Sequence, residues 1–365
     1  MDILSYFDFE PAGQRLEDLE TPVPVIDIDV VERNLRKWQE RCDKAGFANR
    51  PHIKTHKLVP LARAQIDLGA KGITVQKLGE AEVMADAGIT DMLLTFNVVG
   101  QHKLERLAEL AKRTAIKVVA DNESVLEGLS HAAALAGRNI DVLVECDTGA
   151  GRNGVQSPQG AIALAQAIDR TPGLAFGGLM TLPKNGARPQ MADFLDTARE
   201  GLAKSGLDIP AVSVGGTPDM WKDDGLSLAS EYRAGTYIYM DRMQIAAGSA
   251  TADDCALTVL STVVSVPTGD RAMIDAGSKS LTSDLVGLEG FGEVRALSGA
   301  RVYNMSEEHG FLDISKVNDK PKVGGLVRIT PNHVCPVTNL FDRVVFVRGT
   351  QVLGAVKVDA RGTVQ

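Results

Sequence analysis

From residue 23 onward the chain repeats one alternation. A short apolar run is followed by a longer stretch whose apolar positions lie three or four residues apart. "VPVIDID" (23–29) leads into Val31, Leu35, Trp38 and Cys42, spaced 4, 3 and 4, which is one face of a helix. Asp29 with Glu32 three residues later predicts a capping box at its start. Further apolar runs follow at 50–54, 72–76, 91–97, 115–122, 140–147, 174–182, 211–216 and 231–240. Helical patterns such as 102–113 and 161–170 lie between most of them, and Ser157-Pro158 reads as an N-cap and N1 pair. Strands separated by helices predict parallel pairing. Setting the leading strand aside, eight runs remain, which predicts a TIM (β/α)8 barrel. A doubly wound open sheet shares much of this pattern and stays as the alternative.

After about residue 243 the rhythm changes. "ALTVLSTVVSVP", "DRAMIDAG", "GGLVRITPNHVCPV", "DRVVFVRG" and "QVLGAVKV" are short β-rich runs punctuated by Gly and Pro. They predict a C-terminal β domain over 244–365, behind a barrel over 30–243.

Composition narrows the function classes. The 365 residues are 44% hydrophobic and 24% charged, ample for a core. Net charge is −8 with no long basic block, which argues against nucleic acid as a partner. No apolar run has membrane-spanning length and the first residues lack a signal-peptide pattern, so no membrane association is expected. Cys42, Cys146, Cys255 and Cys335 are scattered without CxxC spacing, as in a reducing compartment. A cytoplasmic protein is expected.

Barrel chemistry gathers at the C-terminal ends of strands. Those ends offer "RPHIKTHK" (50–57), Gln76, Asn97, Asp121, Asp147 with Arg152, Thr181, and two Gly/Thr clusters. His52, Lys54 and His56 are spaced by two, so on a strand they share a face. A partly desolvated lysine among cations becomes a nucleophile for carbonyls; the competing reading is a solvated basic turn. Gly215, Gly216 and Thr217, then Gly235, Thr236 and Tyr237 one unit later, suit an anion approached by backbone N–H groups, although glycine at a strand end also simply makes a turn. "GAGRNG" (149–154) matches a dinucleotide fingerprint in letters only, because the helix signal starts at Ser157. In "PNHVCP" (331–336), His333 and Cys335 at i and i+2 share a face if the segment is a strand, and imidazole with thiolate suits a borderline-soft metal. A small core cysteine beside an unrelated histidine is the alternative.

"RPHIKTHK", "GITVQKLGEAE", "VECDTGAGRNGV", "VSVGGTP", "EYRAGTYIYMD", "IDAGSKSL", "EEHG" and "PNHVCPVTNLFD", in this order, resemble the D-threonine aldolase and D-serine dehydratase family, pyridoxal-phosphate enzymes of the alanine-racemase-like fold. The resemblance runs from about residue 21 to the C-terminus. It implies that Lys54 forms the Schiff base with pyridoxal 5'-phosphate and that His52 and Gln76 lie near the cofactor. Arg152 would contact the ring or its 3-oxygen. Gly215, Gly216, Thr217, Gly235, Thr236 and Tyr237 would hold the phosphate. His333 and Cys335 would bind a divalent metal (Zn, Mn or Mg) that grips a β-hydroxyl. Residues 1–29 would pack with the β domain, and the enzyme would be a homodimer. The implied reaction is retro-aldol cleavage of a small β-hydroxy-D-amino acid, D-threonine to glycine and acetaldehyde. The alternative is a D-serine or 3-hydroxy-D-aspartate dehydratase giving a 2-oxo acid and ammonia. Two departures stand out. Several members carry a tyrosine and then a histidine after the strand that here ends in Leu182, so the general base of that loop is unassigned. Some aldolases have aspartate where Cys335 stands, although "NLFDRVVFVRG" is closer to the aldolases. A non-catalytic cofactor carrier on the same fold is a reading of another class; a metal pair argues against it, since storage needs no metal.

Overall fold

The computed structural model describes residues 2–365. In chain order the elements begin with β1 (Val23–Asp27), α1 (Ile28–Ala45), β2 (Ala48–Asn49), α2 (Val59–Asp67), β3 (Ile73–Val75), α3 (Leu78–Asp86), β4 (Asp91–Leu94), α4 (Gln101–Arg113), β5 (Ala115–Ala120) and α5 (Leu126–Ala136). There follow β6 (Ile140–Cys146), α6 (Pro158–Arg170), β7 (Leu174–Thr181), α7 (Arg188–Lys204), β8 (Val212–Gly215), β9 (Glu231–Arg233) and α8 (Arg242–Ala246). The last part holds β10 (Leu257–Thr268), β11 (Arg271–Ile274), α9 (Ser278–Leu281), β12 (Gly292–Arg295), β13 (Arg301–Met305), β14 (Gly310–Asp313), β15 (Leu326–Pro331), α10 (Val334–Leu340), β16 (Arg343–Arg348) and β17 (Gln351–Lys357). Two compact units result. One comprises Trp38–Lys54, Ala62–Gly235 and Thr363–Gln365; the other comprises Met1–Lys37, Thr55–Leu61 and Thr236–Gly362.

The first unit is the expected barrel. Its eight strands run in the order β2-β9-β8-β7-β6-β5-β4-β3, every pair parallel. A parallel bridge between His52 and Thr74 closes the ring. Leu93, Val119, Leu143 and Met180, from four consecutive strands, form one interior layer. Gly178 makes the bulge in β7: its φ is +123°, and a Cβ there would overlap the Ala211 carbonyl oxygen. No α-helix separates β8 from β9, so the seventh unit crosses over through turns alone.

The expected strand over 50–54 is displaced. Regular pairing ends at Asn49, and the chain beyond it is held by separate bonds, Thr74 N to Pro51 O, Arg50 N to Tyr232 O and His52 N to Ala234 O. Pro51 between them has no N–H to give a ladder. Residues 53–55 then close into a 3-10 turn. His52, Lys54 and His56 therefore share no strand face.

The second unit is the β domain. Strands β10, β11, β14, β13, β12 and β15 close a ring of six antiparallel pairs. β10 also pairs with β1, which pairs in parallel with β16, and β16 with β17. The leading strand therefore sits inside this sheet. Val25, Leu260, Val345, Val347, Val352 and Ala355 form a core on one of its faces. Each valine or leucine among them contributes on the order of 1.5–3 kcal/mol by leaving water. The helix cap differs from the expected box: Asp27 Oδ1 accepts from Asp29 N at 3.1 Å, so α1 starts earlier, and Asp29 instead pairs with Arg348 at 2.9 Å. Ser157 caps α6 as expected, accepting from Gly160 N at 3.1 Å.

Candidate active site

At the mouth of the barrel one chain of hydrogen bonds fixes a tautomer. Gln76 Nε2 donates to Thr95 O at 2.9 Å, which points Gln76 Oε1 at His52 Nε2, 3.1 Å away. His52 Nδ1 faces the backbone N–H of Lys54 at 3.4 Å. The ring must then be neutral, accepting at Nδ1 and donating from Nε2. Its accepting lone pair is committed to the turn that carries Lys54, which makes His52 a holder of that turn. His56 is fully buried and its Nδ1 accepts from Leu58 N at 3.0 Å, a packing role.

Beneath the mouth runs a buried line of charge. Arg50, wholly buried, bonds Asp91 at 2.7 Å and Glu231 at 2.8 Å. Ser213 Oγ donates to Glu231 at 2.6 Å and accepts from Arg233 at 2.7 Å. Arg233 also donates to Thr181 O at 3.0 Å. Burial lowers the Arg233 pKa to about 10 against the pull of Glu231 and Glu145. Glu145, 2% exposed, is pushed up to about 7 by burial, opposed by Arg152 and Arg233. It accepts from Asn153 Nδ2 at 2.6 Å and lies 3.6 Å from Arg152 Nη2. Arg152 is thus anchored from below while half of its side chain faces outward. The loop that carries it opens no helix; α6 begins only at Pro158.

The two glycine clusters meet in the barrel unit through one contact, Gly235 N donating to Thr217 Oγ1 at 3.4 Å. Gly216, just past β8, has φ +114°, a conformation that turns its N–H out of line and excludes L side chains. A Cβ on Gly215 would come within 3.1 Å of Arg233 Nη2. The Arg233 guanidinium thus packs against the glycine backbone. Asn97 Oδ1 at the same rim is buried without a hydrogen-bond partner. It lies four strands round the mouth from β8, and an unfilled buried acceptor there fits a hydrogen-bond donor of a polar cofactor. Thr236 and Tyr237 continue the second cluster in a short 3-10 turn of the other unit, both buried.

The β domain brings His333 and Cys335 together, but not on a strand. β15 ends at Pro331; His333 is the N-cap of α10 and Cys335 lies in its first turn, where the following proline is tolerated because the first-turn N–H groups have no intrahelical partner. His333 Nδ1 is 2.8 Å from Asp284 Oδ2, and the Cys335 sulfur is its other hydrogen-bonding neighbour. Burial opposes charge on this imidazole, yet Cys335, Asp284 and Asp241 together raise its pKa to about 9. Cys335 is half-buried, its Sγ 3.1 Å from Thr55 Oγ1 and 3.9 Å from Thr236 Oγ1. Among the described residues no group of three or more His, Cys, Asp or Glu side chains is arranged to hold a metal. His309 is exposed in a turn.

Sequence reading passed over Arg233, Glu145, Glu231 and Asp284. Two of them had a signal: Glu231 and Arg233 alternate in a run otherwise fit for burial, and unlike charges two apart on a buried strand imply an internal pair. Asp284 had none, being far from His333 in sequence.

Comparison with known proteins matches the alanine racemase N-terminal domain over residues 26–243 and the putative serine dehydratase domain over 256–347. A D-threonine aldolase from Arthrobacter sp. is 36% identical, across 96% of this chain and 95% of its own. The crystal structure of D-threonine aldolase from Filomicrobium marinum superposes with a TM-score of 0.91 at 33% identity, covering 98% of this chain and all of that one. A cysteine-to-alanine mutant of D-threo-3-hydroxyaspartate dehydratase in a metal-free form superposes with a TM-score of 0.86 at 30% identity, covering 94% and 99%. The chain belongs to the D-threonine aldolase and D-serine dehydratase family, pyridoxal-phosphate lyases of the alanine-racemase-like fold.

Proposed function

We propose that the chain cleaves β-hydroxy-D-amino acids with pyridoxal 5'-phosphate and a divalent metal, converting D-threonine to glycine and acetaldehyde. One observation carries the reading: the Cys335 sulfur stands 3.1 Å from the hydroxyl of Thr55, the residue that follows Lys54. The thiol–imidazole pair is thereby tied to the segment that carries the candidate cofactor lysine.

The cofactor, when bound, supplies an electron sink for the bond broken at the substrate's α-carbon. Lys54 would hold it covalently, and its amine would be the group of this residue able to carry a proton at that carbon. His52, held by Gln76, keeps the Lys54 turn in place. Arg152 would contact the ring oxygen, anchored through Glu145. Gly215, Gly216, Thr217, Gly235, Thr236 and Tyr237 would hold the phosphate. His333 and Cys335 would hold zinc, manganese or magnesium for the substrate hydroxyl, two ligands leaving room for substrate and water.

A dehydratase acting on D-serine or 3-hydroxy-D-aspartate is favoured by one feature, the cysteine at 335, where some aldolases of the family carry aspartate. Both readings carry a homodimer and a reducing compartment, the latter supported by four cysteines without a disulfide. The test is Lys54→Ala. Borohydride should fix cofactor to the parent protein and not to the variant; cofactor fixed to the variant at the parent's stoichiometry would refute the assignment.

A further inference from the structure

The loop over 282–290 holds two non-glycine residues in the left-handed region, Thr282 at φ 67° and Val286 at φ 45°. Such conformations cost of order 1–3 kcal/mol each and persist only where the surroundings enforce them. The enforcement is visible. Asn332, wholly buried between β15 and α10, donates from Nδ2 to Asp284 O at 3.0 Å and to Gly290 O at 2.8 Å. Its Oδ1 accepts from Arg242. Asp284 N donates to Thr282 Oγ1 at 3.2 Å. The loop is pinned at both ends, and what it delivers is one carboxylate, Asp284 Oδ2, to His333 Nδ1 at 2.8 Å.

A carboxylate can only accept, so the proton of this bond sits on Nδ1. The lone pair of a neutral His333 is then on Nε2. We propose that Asp284 is a positioning residue for metal binding. It selects the Nδ1–H form of His333 and holds the ring so that Nε2 serves as the ligand, with Asn332 as the anchor that places Asp284. This rests on the reading of His333 and Cys335 as metal ligands. Without the carboxylate, the ring is released to either tautomer and to rotation, and orientations that present a hydrogen where a lone pair is needed become accessible. Partners of this kind change metal affinity by about 10–100-fold when removed.

The experiment uses cofactor-loaded protein stripped with a chelator and titrated with zinc by equilibrium dialysis. Asp284→Ala and the isosteric Asp284→Asn are compared with the parent and with His333→Ala. Long-range 1H–15N spectra of the zinc-free proteins, recorded above the pH at which His333 loses its second proton, report its tautomer independently of turnover. Weakening of zinc binding by about 10–100-fold in Asp284→Ala, a smaller loss in Asp284→Asn, whose amide oxygen still accepts, and loss of the Nδ1–H signature at an unchanged melting temperature and cofactor content would support the proposal. Parent affinity in Asp284→Ala, with affinity lost in His333→Ala, would overturn it and leave the metal reading standing. Zinc retained in His333→Ala would remove the metal reading and the proposal with it.

Discussion

Glu145→Gln is the most quantitative perturbation the structure offers. Glu145 is 2% exposed, so solvent screening does not discount its shift. Burial raises its pKa from 4.5 to about 7. In the window between those values the folded protein holds a proton that the unfolded chain has released. Stability therefore falls as pH rises through the window and is flat above it. At about 1.36 kcal/mol per pKa unit the full loss is about 3 kcal/mol, most of it between pH 5 and pH 8. A glutamine has nothing to titrate, so the variant should lack this part of the pH dependence and gain on the parent as pH rises. The chain has two tryptophans, Trp38 and Trp221, both in the barrel unit that contains Glu145. Urea unfolding followed by their fluorescence at several pH values reports on that unit. Taking the difference between parent and variant cancels other groups that titrate in the same range. Parallel stability–pH curves for the two proteins would refute the reasoning, and would mean that Arg152 and Arg233 keep Glu145 ionised throughout.

Cys335→Ser replaces a thiolate donor by a hydroxyl that does not ionise near neutrality; most metal and most activity should be lost while cofactor remains on Lys54, read by elemental analysis and by borohydride fixation, and unchanged metal content would count against the ligand assignment. Gly178→Ala places a Cβ against the Ala211 carbonyl at a φ of +123°, so a loss of about 2 kcal/mol or more is expected in tryptophan-detected unfolding, against a few tenths for an alanine at an open strand position. A melting temperature equal to the parent's would show that the β7 bulge relaxes freely.

Alternation of apolar runs and helical faces made the barrel legible, because each parallel strand is buried on both faces and each helix must show one apolar stripe. The β domain was legible from its Gly and Pro punctuation. Local geometry at the site was less so. Period-two spacing put His52, Lys54 and His56 on one strand face, but Pro51 ends regular pairing and a 3-10 turn carries the lysine. The same rule put His333 and Cys335 on a strand, whereas they meet across the first turn of α10, since the i, i+2 spacing also brings an N-cap and a first-turn residue close. Capping moved from Asp29 to Asp27 because either aspartate satisfies the local pattern and the pairing of Asp29 with Arg348 decides between them. Asp284 was invisible for a different reason: 49 residues separate it from His333, and only the folded loop brings them together.

The central claim is that the β-hydroxyl and the Cα–Cβ bond of a D-amino acid are the reacting groups. The most direct measurement incubates the cofactor-loaded protein with D-threonine, L-threonine and D-serine, with and without added divalent metal, and identifies the products. The account predicts glycine and acetaldehyde from D-threonine, stimulated by metal and abolished by a chelator, with no reaction of the L isomer. A 2-oxo acid with ammonia as the main products, or turnover indifferent to metal, would contradict it.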